Sequence, residues 1–311
     1  MLYPIDQKLV VAVASSALFD LSQSHKVYCE QGVEAYRKYQ ETHIDLTLDK
    51  GVAFPFIRRL LRLNHIFAEE QPVEVVLLSR NSPETGLRVF RSIQHYGLDI
   101  TRAGFFSGSS PYPYLPAFNA TLFLSANAQD VQAACAEGYA AGRVLDAKME
   151  DDDDEELRIA FDFDGVIASD DAEKVYQEKG MEAFHSAESY QAQTPLQPGL
   201  LADLFAKIAA LQQLELQKRG TDPHYRQIIK TAIVTARNAP AHERLINTLK
   251  NWGVDVNEAF FLGGIDKARI LDIMHPHIFF DDQLGHLSHL KNIPAVHIPF
   301  GIINRQPFQT L

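Results

Sequence analysis

The feature that most constrains this chain is an internal repeat, because two similar stretches should fold into similar halves. Residues 26–35 recur, with substitutions, as residues 174–183, which lie 148 positions further along. Residues 96–99, 105–106 and 122–124 match residues 252–255, 261–262 and 278–280, now at an offset of 156. One small insertion near residues 212–224 reconciles the two offsets. The sequence therefore predicts a tandem duplication, with two related halves of roughly 150 residues, the usual size of a domain.

An acidic run separates the two halves. Residues 149–156 are a methionine followed by seven Asp and Glu residues. Such a run can coordinate a cation, but it is more commonly a linker whose like charges repel and stay in water. We interpret it as the junction between a first half, residues 1–148, and a second half, residues 157–311.

Each half has the pattern of an α/β domain. In the second half, short apolar strands are predicted at residues 158–161, 231–234, 259–262 and 277–280. Helical spacing of apolar residues predicts helices at residues 171–190, 200–218, 241–252 and 267–274. Short apolar strands separated by helices indicate a Rossmann-like parallel sheet covered on both faces. In such sheets the functional site lies beyond the carboxyl ends of the strands.

Two pairs of carboxylates follow predicted strands of the second half. Asp162 and Asp164 come directly after the first strand, and the alternation of an extended chain places them on the same side. Asp281 and Asp282 come directly after the fourth strand. Carboxylates this close repel one another unless a cation lies between them or one of them is protonated.

The remaining strand ends and helix starts carry groups that suit an oxyanion. Thr235 follows the second strand and begins the stretch that contains Arg237, and Lys267 lies near the start of the next helix. A hydroxyl, backbone N–H groups at a helix start and an ammonium are all ligands for phosphate oxygens. Together with the carboxylates they form an inventory for Mg²⁺-assisted phosphoryl transfer.

These four sites, in this order, resemble the four motifs of the haloacid dehalogenase superfamily. The resemblance implies that Asp162 is the nucleophile, that Asp164 is the general acid/base, and that Thr235 and Lys267 hold the phosphoryl oxygens. It also implies a Mg²⁺ site formed by Asp162, the backbone carbonyl of Asp164, and Asp282 with its neighbour Asp281. Residues from about 168 to 230 would form a helical cap, which excludes water and recognises the leaving group.

Asp164 narrows the reaction class. A phosphate ester leaves as an alkoxide, which needs a proton, and the aspartyl-phosphate then needs an activated water. A halide leaves without a proton, so Asp164 favours a phosphatase or phosphotransferase over a dehalogenase.

Four stretches narrow the resemblance further. Residues 79–86, 96–103, 123–127 and 276–283 are similar to the type I cytosolic 5'-nucleotidases. That similarity implies hydrolysis of a nucleoside 5'-monophosphate, with AMP and related purine or deoxy nucleotides as leading substrates. Two alternatives stay open: a phosphatase or nucleoside phosphotransferase of the same superfamily with another phosphomonoester, and a non-catalytic nucleotide sensor. The intact acids and lysine of the second half argue against the sensor.

Further residues beside these motifs are candidates for substrate binding. Arg237 and Asn238 follow Thr235 and are candidates for contact with phosphate or ribose, and Phe163 flanks the nucleophile. His275, His277, His286 and His289 show no zinc-like spacing, and we interpret them as structural or solvated.

The first half lacks the catalytic groups. Alignment of the halves places Ala14 and Ser16 opposite Asp162 and Asp164, Ser79 opposite Thr235, Pro111 opposite Lys267, and Ser125–Ala126 opposite Asp281–Asp282. This half therefore either serves as a scaffold or uses its vacated strand ends to bind a nucleotide base or an ADP-like effector. The polar candidates for such binding are Arg80, Asn81 and Ser82.

Composition excludes several other classes of protein. The net charge is −11, from 29 Lys+Arg and 40 Asp+Glu, and an acidic surface disfavours nucleic acid. The two cysteines cannot make a disulfide framework, and the apolar run at residues 9–19 is too short to span a membrane and poorly shaped for a signal peptide. We therefore expect a soluble cytoplasmic protein. The sequence does not give the oligomeric state, and a homo-oligomer stays open.

Overall fold

The computed structural model describes residues 3–147 and 151–304. The chain divides into two compact units, Met1–Asp151 and Asp152–Leu311. The division falls inside the acidic run that we interpreted as a linker, of which residues 149 and 150 lie outside the described residues. No helix in the described ranges is long and apolar enough to cross a bilayer.

The first unit alternates strands and helices. Its strands are β1 (Leu9–Val13), β2 (Val73–Ser79), β3 (Arg102–Phe105), β4 (Leu122–Ser125) and β5 (Ala141–Val144). Its helices are α1 (Ser15–Leu18), α2 (Ser22–Thr42), α3 (Phe54–Ile66), α4 (Pro83–His95) and α5 (Ala128–Ala136), with 3₁₀ turns at Ile5–Gln7, Tyr112–Tyr114 and Pro116–Phe118. The strand order is β3-β2-β1-β4-β5, and each neighbouring pair is parallel.

The second unit repeats this alternation. Its strands are β6 (Leu157–Phe161), β7 (Ile229–Thr235), β8 (Glu258–Phe261), β9 (Ile278–Asp281) and β10 (Ala295–His297). Its helices are α6 (Asp171–Tyr190), α7 (Ala202–Thr221), α8 (His242–Trp252), α9 (Ala268–Met274) and α10 (Leu284–Leu287), followed by a 3₁₀ turn at Ile302–Asn304. The strand order is β8-β7-β6-β9-β10, again with parallel neighbours throughout.

The predicted parallel α/β organisation is confirmed. The four strands and four helices expected in the second half occur within a few residues of their predicted ends. The sequence analysis did not predict β10, which is only three residues long. Its short length explains the miss, because three apolar residues do not form a pattern distinct from a loop.

Aromatic packing holds the central strands of the second unit to a helix. The Phe161 ring on β6 stacks on Phe280 of β9, with centroids 5.2 Å apart, and meets Phe205 of α7 edge-on at 5.3 Å. All three side chains are almost completely buried. The apolar runs of the sequence are therefore buried on both faces of the sheet, as parallel strands require.

Both units share an uncommon helix distortion. Gly32 in α2 and Gly180 in α6 each interrupt their helix with a φ near +80° (+82° and +80°). A side chain disfavours this backbone conformation, so glycine is the residue expected there. The two glycines lie at equivalent positions of the repeat that begins at residues 26 and 174.

The acidic run is not uniformly solvated. Residues 152–155 of the run are exposed, whereas the Asp151 side chain is only 1% exposed and pairs with Lys50, Arg58 and Arg59. The interpretation of the run as a solvated linker is therefore wrong for Asp151, because three cations of the first unit compensate the loss of its hydration.

The strand order fixes where a site can form. In each unit the order reverses direction between two strands, β1 and β4 in the first and β6 and β9 in the second. Ligands of open α/β sheets bind at the carboxyl ends of the strands at such a switch point. In the second unit these ends carry Asp162 and Asp281.

Candidate functional site

Asp162 is held rigidly at the end of β6. Its backbone N–H donates to the carbonyl of Phe280 at 2.7 Å, and its carboxylate Oδ1 accepts the N–H of Phe163 at 2.7 Å. The residue is 4% exposed. Its other carboxylate oxygen, Oδ2, faces the ammonium of Lys267 rather than the backbone.

Lys267 connects the two acidic strand ends. It is the N-cap residue of α9, and its Nζ lies 3.0 Å from Asp162 Oδ2 and 2.7 Å from Asp281 Oδ2. All three side chains are almost completely buried. The structure thus brings together the predicted nucleophile, the predicted phosphate-binding lysine and one predicted metal ligand.

Asp282 is buried beside the turn that follows Asp162. A Cβ at Gly165, whose φ is +73°, would lie 2.5 Å from Asp282 Oδ2, so only glycine leaves room for this carboxylate. The backbone carbonyl of Asp282 accepts hydrogen bonds from Asn304 at 2.9 Å and pairs with His297 Nε2 at 3.0 Å. Its Oδ1 is buried, and no residue of the described ranges donates to it.

Burial and charge shift the ionisation of this cluster. Burial, and then the neighbouring charges of Asp281 and Asp164, raise the pKa of Asp162 to about 6 in spite of Lys267. Burial, followed by the charges of Asp162 and Asp281, raises the pKa of Asp282 to about 9. Burial also opposes ionisation of Asp281, but Lys267 and His286 outweigh it and lower the pKa of Asp281. The cluster therefore has more negative charge than Lys267 alone can neutralise.

This charge imbalance fits a divalent cation. Carboxylate oxygens are the ligands that Mg²⁺ prefers, and buried carboxylates without sufficient counter-charge favour binding of a cation. The Oδ1 of Asp282 accepts no hydrogen bond from the described residues. Asp162, Asp281 and His286 also place one potential ligand atom each within 4.8 Å of one another. The donor set is consistent with the predicted Mg²⁺ site.

His286 is a neighbour of the site that the sequence analysis interpreted as structural or solvated. Its Nδ1 lies 3.2 Å from Asp281 Oδ2, and its side chain is 32% exposed. His286 lies five residues after Asp281 on the short helix α10, and this spacing alone gave no signal of the contact.

Thr235 and Arg237 follow β7 but face different neighbours. The Thr235 side chain is buried at the end of β7, and its Oγ1 accepts the Arg237 N–H at 3.2 Å. The Arg237 guanidinium forms a two-point contact with Asp164, with Nε–Oδ2 and Nη2–Oδ1 distances of 2.7 Å. Burial lowers the pKa of Arg237, but the carboxylates of Asp164 and Glu188 outweigh it and raise that pKa. Arg237 is therefore fully engaged within the protein.

The other substrate-binding candidates differ in accessibility. Asn238 is half-buried, and its Oδ1 pairs with His185 of α6 at 3.0 Å. Phe163 is completely buried, and its ring lies 5.6 Å from the Arg237 guanidinium. Phe163 is thus a core residue in this structure, like Phe161.

The equivalent strand ends of the first unit contain no carboxylate pair. Ala14 follows β1, Ser79 ends β2 and Ser125 ends β4. Ser79 Oγ lies 2.8 Å from Ser15 Oγ, so hydroxyls occupy this end of the sheet. These groups cannot supply a nucleophilic carboxylate or the carboxylate ligands of a cation.

The polar candidates of the first unit are used internally. Arg80 makes a two-point contact with Asp130, at 2.7 and 2.6 Å, and donates to the carbonyl of Gly108. Ser82 caps helix α4 through the N–H of Thr85. Asn81 Oδ1 accepts the hydroxyl of Tyr36 at 3.1 Å, while its Nδ2 is buried without a partner in the described residues.

A buried carboxylate beside an ammonium, with further carboxylates suited to a cation, can support phosphoryl transfer to an aspartate. The family comparison agrees with this class. The family model described as 5'-nucleotidase matches residues 1–305, and the chain belongs to that family.

A curated human protein is similar over most of this chain. The chain is 34% identical over 297 residues to "Cytosolic 5'-nucleotidase 1B" of Homo sapiens. The aligned stretch covers 93% of this chain and 48% of that protein, and the chain belongs to the type I cytosolic members of the family. The chain therefore spans about half the length of this relative.

Proposed function

We propose that this protein hydrolyses nucleoside 5'-monophosphates to nucleoside and phosphate through an aspartyl-phosphate on Asp162. The observation that carries the proposal is the buried Lys267 ammonium placed between Asp162 and Asp281. Membership of the 5'-nucleotidase family supports the substrate class. AMP and related purine or deoxy nucleotides are the leading substrates.

In the first step the Asp162 carboxylate attacks phosphorus, and the bond to the 5'-oxygen breaks. Asp164 gives its proton to that oxygen, so nucleoside leaves as a neutral alcohol. In the second step water attacks the phosphorus of the acyl phosphate, Asp164 takes the proton of that water, and phosphate leaves with Asp162 restored. Thr235 and Lys267 bind the phosphoryl oxygens, and Asn238 is a contact for the phosphate or ribose.

The acidic cluster implies a resident cation. Asp162, Asp281, Asp282 and the backbone carbonyl of Asp164 would hold Mg²⁺, which supplies charge stabilisation for the phosphoryl oxygens when bound. The buried Oδ1 of Asp282, which has no donor among the described residues, and the raised pKa of Asp282 support this assignment.

We also propose that the chain is a duplicated haloacid dehalogenase-like fold with a degenerate first half. The identical strand orders of the two units and the equivalent glycines of α2 and α6 support the duplication. Helices α6 and α7, in the segment 168–230, are the proposed cap.

Internal use of Arg80 and Ser82 supports a scaffold role for the first half rather than an ADP-like effector site. The cytoplasmic location stays a prediction, and a homo-oligomer stays open. The name of the human relative supports the first of these.

Release of phosphate from a panel of nucleoside monophosphates and sugar phosphates, with and without Mg²⁺, tests the proposal. We expect Mg²⁺-dependent release that is fastest with a purine nucleotide. Faster release from a sugar phosphate would favour the alternative phosphatase. Transfer of phosphate to an added nucleoside in preference to water would identify a phosphotransferase, and binding without turnover would identify a sensor.

A further inference from the structure

The two units share an arginine contact between a helix and a loop. In the first unit, Arg88 donates from Nε to the carbonyl of Leu46 at 2.8 Å and from Nη1 to Gln40 Oε1 at 3.2 Å. In the second unit, Arg244 makes the equivalent contacts with Thr194, at 2.9 Å, and with Glu188, at 2.7 Å. The positions correspond at the offsets of the sequence repeat. This arginine contact is therefore part of the shared architecture.

A neighbouring contact matches as well. Ser92 Oγ in the first unit accepts the N–H of Leu48 at 3.0 Å, and Thr248 Oγ1 in the second accepts the N–H of Leu196 at 3.0 Å. The helix-to-loop packing is thus the same in both units. In the first unit a neutral side chain, Gln40, is sufficient for it.

The second unit adds charges that this packing does not need. Glu188 also accepts a hydrogen bond from Arg237 Nη1, and Arg237 makes its two-point contact with Asp164. The repeat places Asn81 at the position of Arg237. Gln40, Asn81 and Ser16 thus stand where Glu188, Arg237 and Asp164 stand, so all three charges are missing together from the half that lacks the candidate acid.

Burial makes these extra charges costly. The side chains of Glu188 and Arg237 are each 2% exposed, whereas that of Asp164 is 19% exposed. Removing a charge from water costs several kcal/mol before its partners compensate it. Gln40 maintains the equivalent arginine contact without charge, so the charge of Glu188 is needed for its second partner, Arg237, and not for that contact.

The ion pairs form a connected series from the interior to the site. Arg244 and Arg237 both donate to Glu188, and Arg237 also donates to the carbonyl of Ala241 at 3.1 Å. These contacts fix the plane of the Arg237 guanidinium, which in turn fixes both oxygens of Asp164. Glu188 lies on α6, in the segment inserted between β6 and β7.

We propose that Glu188 and Arg237 are positioning residues that orient the Asp164 carboxyl for proton transfer to the leaving 5'-oxygen and from the attacking water. The proposal rests on the function proposed above. Orientation is a sensitive requirement, since a displacement of about 1 Å can cost ~10²-fold in rate. Neither residue needs to touch the substrate.

The central test is Glu188→Gln, which gives the second half the side chain that the first half has. The amide oxygen still accepts from Arg244, so we expect the fold to be maintained. The measurement is single-turnover release of nucleoside from AMP, compared with release from an AMP analogue whose bridging 5'-oxygen is replaced by sulfur. A thiolate leaves without a proton far more readily than an alkoxide, because a thiol is much more acidic than an alcohol.

We expect Glu188→Gln to slow release of nucleoside from AMP by roughly 10–100-fold. This range is typical for residues that do not touch the substrate but hold a reacting residue in position. Release from the sulfur analogue should change by less than about 3-fold, and KM for AMP should stay within about 3-fold. Arg237→Lys retains the charge but loses the two-point contact. We expect this variant also to slow release from AMP more than release from the sulfur analogue. Equal slowing of both substrates by both variants, or no slowing, would overturn the proposal.

Two further variants separate this proposal from the function on which it rests. Gln40→Ala removes the matched packing contact from the first half, and we expect it to leave both rates unchanged. Asp164→Asn should slow release from AMP relative to release from the sulfur analogue at least as strongly as Glu188→Gln does; this difference is the selectivity for the sulfur analogue. If Asp164→Asn lacks that selectivity, the proposed function fails. If Asp164→Asn has it and the two positioning variants do not, only the positioning role fails.

Discussion

The Nζ of Lys267 lies 3.0 Å from a carboxylate oxygen of Asp162, and both side chains are almost completely buried. A carboxylate that attacks a phosphate ester must be ionised, and its anion must approach a second anion. Burial raises the pKa of Asp162 to about 6, so the ionised form needs compensation. Lys267 supplies part of it, because an opposite charge in a water-excluded site is strongly stabilising.

The first prediction concerns Asp162. Asp162→Asn should reduce turnover to background, because an amide cannot form the acyl phosphate. The fold should persist, since the amide oxygen still accepts the N–H of Phe163. The measurement is release of phosphate from AMP, with circular dichroism to check folding. Beryllium fluoride should inhibit the unsubstituted protein by mimicking a phosphorylated aspartate; an active Asp162→Asn variant would refute the covalent route.

The second prediction concerns Lys267. Lys267→Ala should lower kcat by ~10²–10³-fold, the typical cost of removing one group that stabilises the transition-state charge. It should also raise KM, because Lys267 binds the phosphoryl group in the substrate complex. Steady-state kinetics with AMP measure both parameters. A change confined to thermal stability, with kcat and KM unchanged, would show that Lys267 only neutralises Asp162 and Asp281.

The third prediction concerns Asp164. Asp164→Asn should lower kcat by ~10²–10⁴-fold with little change in substrate affinity, because the lost group transfers a proton in both half-reactions. Rapid-quench measurements of nucleoside and phosphate release report the two steps separately. An effect on apparent affinity alone would identify Asp164 as a substrate contact.

The fourth prediction concerns pH and the cation. The pKa of Asp282 is about 9 in the folded protein, against about 3.9 for an unperturbed aspartate, so the folded state retains a proton that the unfolded state has lost between these values. In the presence of a chelator, the free energy of unfolding should therefore fall as pH rises through that window. Mg²⁺ should oppose this fall, since its ligands bind it in the ionised form.

Urea denaturation at about pH 6 and about pH 8.5, with EDTA or with Mg²⁺, measures this effect. Asp282→Asn is the informative variant, because it removes the titrating group. It should weaken both the pH dependence in EDTA and the stabilisation by Mg²⁺. An unchanged response to Mg²⁺ in this variant would exclude Asp282 from the cation site.

The fifth prediction concerns the first half. Asn81→Ala should leave kcat with AMP unchanged within about 2-fold, because no nucleophile or cation ligand lies at this strand end. It should destabilise the fold by about 1 kcal/mol through loss of the hydrogen bond from Tyr36. AMP titrations with and without ADP test the effector hypothesis. A lost ADP response with unchanged kcat would show that the vacated site binds nucleotide.

Much of the site follows from order along the chain. Asp162, Thr235, Lys267 and Asp281 each lie at a strand end or helix start, and parallel strands gather these ends at one edge of the sheet. Short apolar runs placed the strands of the second half, and helical periodicity placed its helices. Strand β10 is too short for such a run to be distinct from a loop.

By itself, the sequence determined the duplication hypothesis, the parallel α/β class and the residues at the strand ends, since these depend on local pattern and spacing. Only the tertiary structure decided which partners the polar side chains have. It joined Arg237 to Glu188 and Asp164 rather than to an open surface, and it placed His286 beside Asp281. It also buried Phe163, and it left Asp282 Oδ1 without a donor in the described residues. The physical reason is that hydrogen bonds and ion pairs form between groups distant in sequence, and no local pattern encodes the distance that decides them.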